Sequence, residues 1–466
     1  MGARTWGGRI AVASRLGPWH TVALAVLAAL GLGCMDSRST EPSTVDPAFA
    51  KGGGASDPTV TSADPAAAPQ DTTLDVHVFG SSYDQGSRVD FARAGVVDPK
   101  LQVNSTTFRS STELVANVTV APDAATVSYD IVVTKSTGKK GIGTEKFAVL
   151  VPGELLSAPS GGSRATSVSE NGLISGWIRG TCAFDTEPVL WDQLGQLTAL
   201  PALPGTCGGI ARDVNGTGVA VGSAYIGSSY SYDVRWVPLG GTYQAEPLPR
   251  LANGSLAGAS GMNDAGTVAG SNVASVLSPG ATSWQLLQWP IGATSCLGSL
   301  GINNLGAVAG RCTIAGKGRA AYWTSPTGSP VLLPLPSGAT DVFVRAINDA
   351  GVIVGWTFVS TGKNKVVRRA TRWIPSGGSW TPEILPDLGK GGSALAINQA
   401  GQIAGSVPGT NGFELPALWE ASGALRQLDT GDKVGEATGL AGPGAGSMVA
   451  GNINSAGDWH AARWRP

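Results

Sequence analysis

The stretch Asn348-Asp349-Ala350-Gly351-Val352-Ile353-Val354-Gly355-Trp356, followed by Arg369-Ala370-Thr371-Arg372-Trp373-Ile374-Pro375, constrains this chain more than any other. It reads as an apolar strand, a tight Asn/Gly turn, a second apolar strand ending in Gly, and a third ending in Trp. Versions of the unit run on to residue 466. The turn recurs at Asn171-Gly172, Asn215-Gly216-Thr217-Gly218, Asn263-Asp264-Ala265-Gly266, Asn303-Asn304-Leu305-Gly306 and Asn398-Gln399-Ala400-Gly401. Gly442-Pro443-Gly444-Ala445-Gly446 is a degraded seventh copy. Asn and Gly suit such hairpin loops because both tolerate positive φ. The Gly that ends the second strand stands at 176, 222, 270, 310, 355, 405 and 451.

The third-strand Trp stands at 191, 236, 323, 373, 419 and 464, so one unit lacks it. Trp289 is too close to Asn303 to fill the gap. The Leu-Pro step that follows Trp236 and Trp373 sets the register instead. Counting back from Trp289-Pro290 puts Leu277 in the Trp position and Trp289 in the fourth strand. The anchors are then 41 to 50 residues apart. Four strands in roughly 45 residues is the period of a propeller blade. The expected fold is all-β, a seven-bladed β-propeller over 153–466 preceded by a small Ig-like β-sandwich. The last unit stops at Trp464-Arg465-Pro466 without a fourth strand, while 153–158 reads as a fourth strand with no third before it. That strand is expected to close the ring and remove an open sheet edge.

The unit resembles the bacterial HAF repeat, an extracellular repeat. Its pattern of Ala-x-x-Ile-Asn-x-x-Gly-x-x-x-Gly-Trp, then Ala-x-x-Trp, then Leu-x-x-Leu-Pro is matched by Ala346–Trp356 and by Ala394–Gly405. The resemblance implies an exported propeller with no assigned activity. Residues 73–152 hold short alternating strands such as Leu74–Phe79, Leu114–Val120 and Val127–Val133. With Gly80-x-x-Tyr83-x-x-Gly86 and Tyr129-x-Ile131-x-Val133, they resemble an IPT/TIG-type Ig domain, which implies a spacer or interaction platform. His77 alternates with apolar neighbours and is expected to point outward.

At the N-terminus, Arg4, Arg9 and Arg15 precede the apolar run Thr21–Gly33. The run is too short to span a bilayer as a helix and has the order of a secretory signal. Cys34 follows at once, so 1–33 resembles a bacterial lipoprotein signal with Cys34 as the lipid anchor. An ordinary cleaved signal with an incidental Cys is the alternative. Residues 34–72, rich in Ser, Thr, Pro, Ala, Gly and Asp, are expected to be a disordered tether.

Charged residues make up only 14% of the chain and the net charge is −1, which excludes a phosphate-neutralising nucleic-acid face. His20, His77 and His460 lie in separate segments. No catalytic residue, metal site or cofactor is assigned, because the Asn/Gly turns offer at most one Asp each and no paired-carboxylate motif or phosphate loop stands out. Cys182–Cys207 and Cys296–Cys312 are the expected disulfides of an exported protein. The third-strand Trp residues are expected between blades as packing. Tyr243, Trp284 and Trp380 share the third-to-fourth strand turn and are candidates for an exposed, ligand-contacting rim. The expected function is a lipid-anchored cell-envelope module, on the outer membrane, in the periplasm or at the surface. It would bind a protein or glycan as a monomer and touch the membrane only through its lipid. The alternative is a secreted polysaccharide hydrolase or lyase with its site over the channel. A cluster of His, Asp, Glu or Arg at the channel would favour the enzyme, and a lining of Gly, Ala and Ser would oppose it.

Overall fold

The structure is a computed structural model that describes residues 56–159, 161–180, 186–226, 229–362, 365–409, 411–431, 433–442, 447–455 and 457–466. The signal, Cys34, Cys182 and the degraded turn from Pro443 to Gly446 lie outside these residues. Among the described residues the regular elements are all strands, in nine sheets.

The first two sheets form a sandwich. One has the order Thr59–Asp64, Thr72–Ser81, Glu113–Val120, Leu101–Ser110. The other runs Ala67–Pro69, Lys140–Leu150, Ser128–Thr134, Arg88–Arg93, Val96–Val97. Alternation along the strands sends Val76, Val78, Phe91, Leu114, Ala116, Ile131, Val133 and Phe147 inward. Phe91 and Phe147 meet edge to face at 4.9 Å. His77 lies on the other face of its strand, its Nδ1 2.7 Å from Glu113 Oε1. The expected tether needs correction here: Thr59–Asp64 and Ala67–Pro69 belong to the sandwich. Their composition hid them because an edge strand is held by backbone pairing, and only Val60 and Ala68 are buried.

The remaining strands build seven four-stranded antiparallel sheets among the described residues. Six use four consecutive strands. The last places Gly153–Leu155 beside Asp458–Trp464, with Gly153 opposite Trp464 and Leu155 opposite Ala462. Glu154 takes both Nε and a terminal nitrogen of Arg463, at 2.8 and 2.6 Å. The first strand of each sheet contacts that of the next, and the last contacts the first. The seven inner strands therefore surround a channel, which makes the fold a β-propeller.

Each slot between sheets holds an indole. Trp191, Trp236, Trp323, Trp373, Trp419 and Trp464 are at most 1% exposed. Their N–H groups donate to the carbonyls of Ser157, Pro201, Gln288, Pro334, Pro386 and Asp429. Burying each ring stabilises the ring of sheets by about 2–3 kcal/mol, with the polar N–H satisfied.

The turn Asn does something other than tolerate positive φ. Gly351 carries the positive φ of its turn, at 77°, while Asn348 is buried with ordinary backbone angles. Asn348 Oδ1 accepts from Val352 N at 3.0 Å, and its Nδ2 donates to Asn398 O in the next sheet at 3.1 Å. The same handover runs Asn215 to Asn263, Asn263 to Asn303, Asn303 to Asn348, and Asn398 to Gly442. In the first sheet the equivalent residue is Ser169, not Asn171: Ser169 Oγ accepts from Leu173 N at 3.1 Å. Asn171 makes the link from two places on, donating to Gly216 O at 2.9 Å. Gly442 N donates to Glu170 at 3.0 Å and completes the circle.

Candidate functional site

The inner strand of each sheet slips its pairing by one residue just before the Asn position. The slips fall around Thr166, Arg212, Ser260, Arg345, Leu395 and Thr438, with a wider one between Leu297 and Gly301 in the fourth sheet. A bulge frees one residue from the ladder and re-aims its side chain. All six of these residues line the channel. The second-strand Gly explains itself in the same geometry. A Cβ on Gly355 would lie 2.0 Å from Phe343 O, and one on Gly222 2.0 Å from Ile210 O, because the bulged strand presses its carbonyl onto the neighbour. The Gly of the repeat is thus the trace of the bulge in the sequence.

Two cavities meet in the channel. One of about 220 Å³ reaches the Asn turns. The other, about 430 Å³, opens past Arg164 and Trp177. Thr166, Arg212, Ser260, Arg345 and Thr438 line both, and so form the waist. Two arginines stand at it. Arg212 Nε donates to Ser223 Oγ at 3.2 Å. Arg345 Nε is buried and has no hydrogen-bond partner among the described residues. Burial pushes the Arg345 pKa down, opposed by the charge of Glu436.

The channel carboxylates are committed elsewhere. Glu436 lies 2.5 Å from Arg164 and accepts from Asn452 at 3.3 Å. Asp213 accepts from Met262 N at 2.8 Å, in the next sheet, and from Val214 N at 3.0 Å. Enclosure by protein raises its pKa to about 6 against these hydrogen bonds and one from Ser167. The lining is therefore mixed: Gly301, Ala346, Ala396, Gly439 and small hydroxyls, with Arg164, Arg212, Arg345, Asp213 and Glu436 set among them. Neither of the two channel linings that the sequence left open is met in pure form. These residues escaped notice because the bulge position is the one that varies from unit to unit.

The aromatic candidates are not brought together on an exposed rim. Trp284 is 8% exposed and donates its indole N–H to Pro249 O at 2.7 Å, the same contact that the third-strand Trp residues make. Leu277 holds the strand position opposite Val268, and Trp284 fills the slot. Trp380 is half-buried against Tyr322 at 4.7 Å and donates to Gly351 O at 3.0 Å. Tyr243 is half-buried in the cluster around Trp236, and desolvation raises its pKa. Cys296 and Cys312 face each other across the first two strands of the fourth sheet and are joined. Cys207 is disulfide-bonded, and Cys182 lies outside the described residues. Among the described residues no group of three or more His, Cys, Asp or Glu is placed to hold a metal ion.

No family model matches the chain, and no curated protein is similar to it. Among solved structures, a Bacteroides thetaiotaomicron protein of unknown function matches 91% of this chain with all of its own, at 11% identity and a TM-score of 0.36. The β-propeller domain of the Trilobed protease from Pyrococcus furiosus matches 88% of this chain with 94% of its own, at 9% identity and a TM-score of 0.30. Trypanosoma rangeli sialidase matches 73% with 57%, at 11% identity and a TM-score of 0.34.

Proposed function

We propose that this chain is an exported, lipid-anchored cell-envelope protein: a seven-bladed β-propeller behind an Ig-like, IPT/TIG-like sandwich, binding a protein or glycan partner through one propeller surface. The closed ring of seven sheets and the two-sheet sandwich support the architecture. The signal-like 1–33, Cys34 and the HAF-like unit support export and anchoring. The protein is a monomer in this reading, with the partner outside the chain.

The observation that carries the binding reading is the surface of the third sheet. Its outer strand is only Gln285–Leu286, and the chain beyond it leaves Leu286, Trp289 and Ile291 exposed at 56%, 43% and 101%. Leu286 is also on the wall of a groove of about 520 Å³, with Leu251, Leu256, Val273 and Trp284. Clustered exposed apolar side chains next to a concavity mark interaction sites. Trp289 offers a flat face to a sugar ring or an apolar side chain. A polysaccharide-cleaving site of the two-carboxylate kind needs a free acid and a free base or nucleophile. Asp213 and Glu436 are each tied to other groups, which supports binding over cleavage. Screening the full chain on glycan and peptide arrays tests the reading. Binding to one class is expected, weakened at least tenfold by Trp289→Ala with the melting temperature unchanged. Binding that Trp289→Ala and Ile291→Ser leave intact would move the site elsewhere.

A further inference from the structure

The channel shares no lining residue with the groove of the third sheet. Its wider end holds Arg164, Arg212 and Arg345 with Glu436 as the carboxylate among its lining residues. Glu436 already takes Arg164, at 2.5 Å, and Asn452, at 3.3 Å. Arg345 has no hydrogen bond or ion pair among the described residues, and its Nε is buried without a partner. A guanidinium presents five donors in a rigid fork suited to a carboxylate or phosphate. A buried donor left without an acceptor is destabilising. A stability role does not account for Arg345, since it holds nothing in place. A ligand role does.

Three further features converge on the same place. Arg345 and Arg212 occupy equivalent bulge positions, so both side chains reach the waist from rigid strands. Arg164 and Trp177, opposite each other in the first sheet, stand at the opening, and Trp177 is half-buried. The far end is different in sign: Glu170 and Asp264 line it, each accepting a backbone N–H of a neighbouring sheet. The channel is basic at one end and acidic at the other, and an anion is drawn in from the arginine end. A cavity of about 430 Å³ suits a ligand the size of a monosaccharide.

We propose that the wide end of the channel binds a small oxyanion-bearing ligand, its carboxylate or phosphate group held at the waist by Arg345 and Arg212. Trp177 gives the rest of the ligand a flat face at the mouth.

The test is calorimetric titration of the full chain in detergent, at low salt, with sodium glucuronate and with sodium phosphate in separate arms. At least one should bind the wild type, weaken as salt rises and increase the melting temperature. Binding to glucuronate alone identifies a carboxylate ligand, and binding to phosphate alone a phosphate ligand. Arg345→Met should weaken that binding at least tenfold while its own melting temperature, without ligand, stays level or rises, because an unpartnered buried charge has been removed. Arg345→Lys, which keeps the charge and loses the fork, should fall between. Failure of both anions to bind the wild type overturns the proposal, as does wild-type binding by Arg345→Met. A melting temperature that falls in Arg345→Met would assign the arginine to the fold and also overturn it. None of these outcomes depends on Trp289.

Discussion

The fifth sheet has strands of 9, 10, 12 and 6 residues, and the third has strands of 4, 3, 3 and 2. Both fill one place in the same ring. In the fifth, Trp373 sits at the end of the third strand and its indole donates to Pro334 O at 2.8 Å. In the third, Leu277 takes that position and Trp284 arrives from beyond the turn to make the same contact with Pro249. The third sheet's short inner strand is also clamped by carboxylates of the second: Asp233 accepts from Gly258 and Ala259, at 2.9 and 3.0 Å, and Asp213 from Met262. The ring requires a slot filled by an indole with its N–H satisfied. It does not require the indole to come from one position, so sequence register and physical role separate here.

The largest effect should come from the indoles. Trp284→Ala should destabilise by about 3–5 kcal/mol in urea unfolding, as much as Trp373→Ala. Leu277→Ala should cost less, about 2–3 kcal/mol. A cost below about 1 kcal/mol for Trp284→Ala would break the equivalence, since a rim aromatic would show no more than that.

The carboxamide ring should respond more weakly and evenly. Asn348→Ala in the fifth sheet and Asn263→Ala in the third each take the acceptor from a part-buried N–H, of Val352 and Thr267, and one of two donors from the carbonyl of Asn398 and Asn303, and each should cost about 1–2 kcal/mol. Equal losses would show that the stitching is shared by strong and weak sheets alike. A much larger loss at Asn263 would show that the short strands lean on it.

The narrowest effect, confined to one pH window, concerns the seam between the second and third sheets. Asp213 has a folded pKa of about 6, above its ordinary 3.8. Between those values the folded state holds a proton that the unfolded chain has released, so this group adds stability as pH falls from 6 to 4 and loses it as pH rises through 6. Asp213→Asn should flatten the pH dependence of melting in that window. An unchanged slope would remove Asp213 from the seam's electrostatics.

The architecture was legible because its parts recur: Gly wherever a bulged carbonyl presses close, Asn wherever a carboxamide crosses to the next sheet, Trp in the slots. The reason for the Asn was misread, since a side chain donating to another sheet leaves no local trace. Thr59–Asp64 was missed because edge pairing needs few buried side chains. The channel arginines stayed hidden for a different reason. A repeat reveals what is held constant, and Arg212 and Arg345 sit at the position where the units differ. Aligning the units on Asn and reading three residues back would have found Arg212, Ser260, Arg345 and Leu395 as a set.

The pairing of Glu154 with Arg463 spans 309 residues of sequence. During synthesis, Gly153–Leu155 leaves the ribosome long before its partner strand exists. A chain emerging in order can stack its early sheets as they appear, since those contacts are local. The final sheet must wait for Asp458–Trp464. Until then the ring is an open arc with two bare strand edges, the condition in which a chain is most prone to pair with another molecule. A chain interrupted before Arg463 would keep those edges for good. The clasp that completes the last sheet therefore also decides which copies stay adhesive.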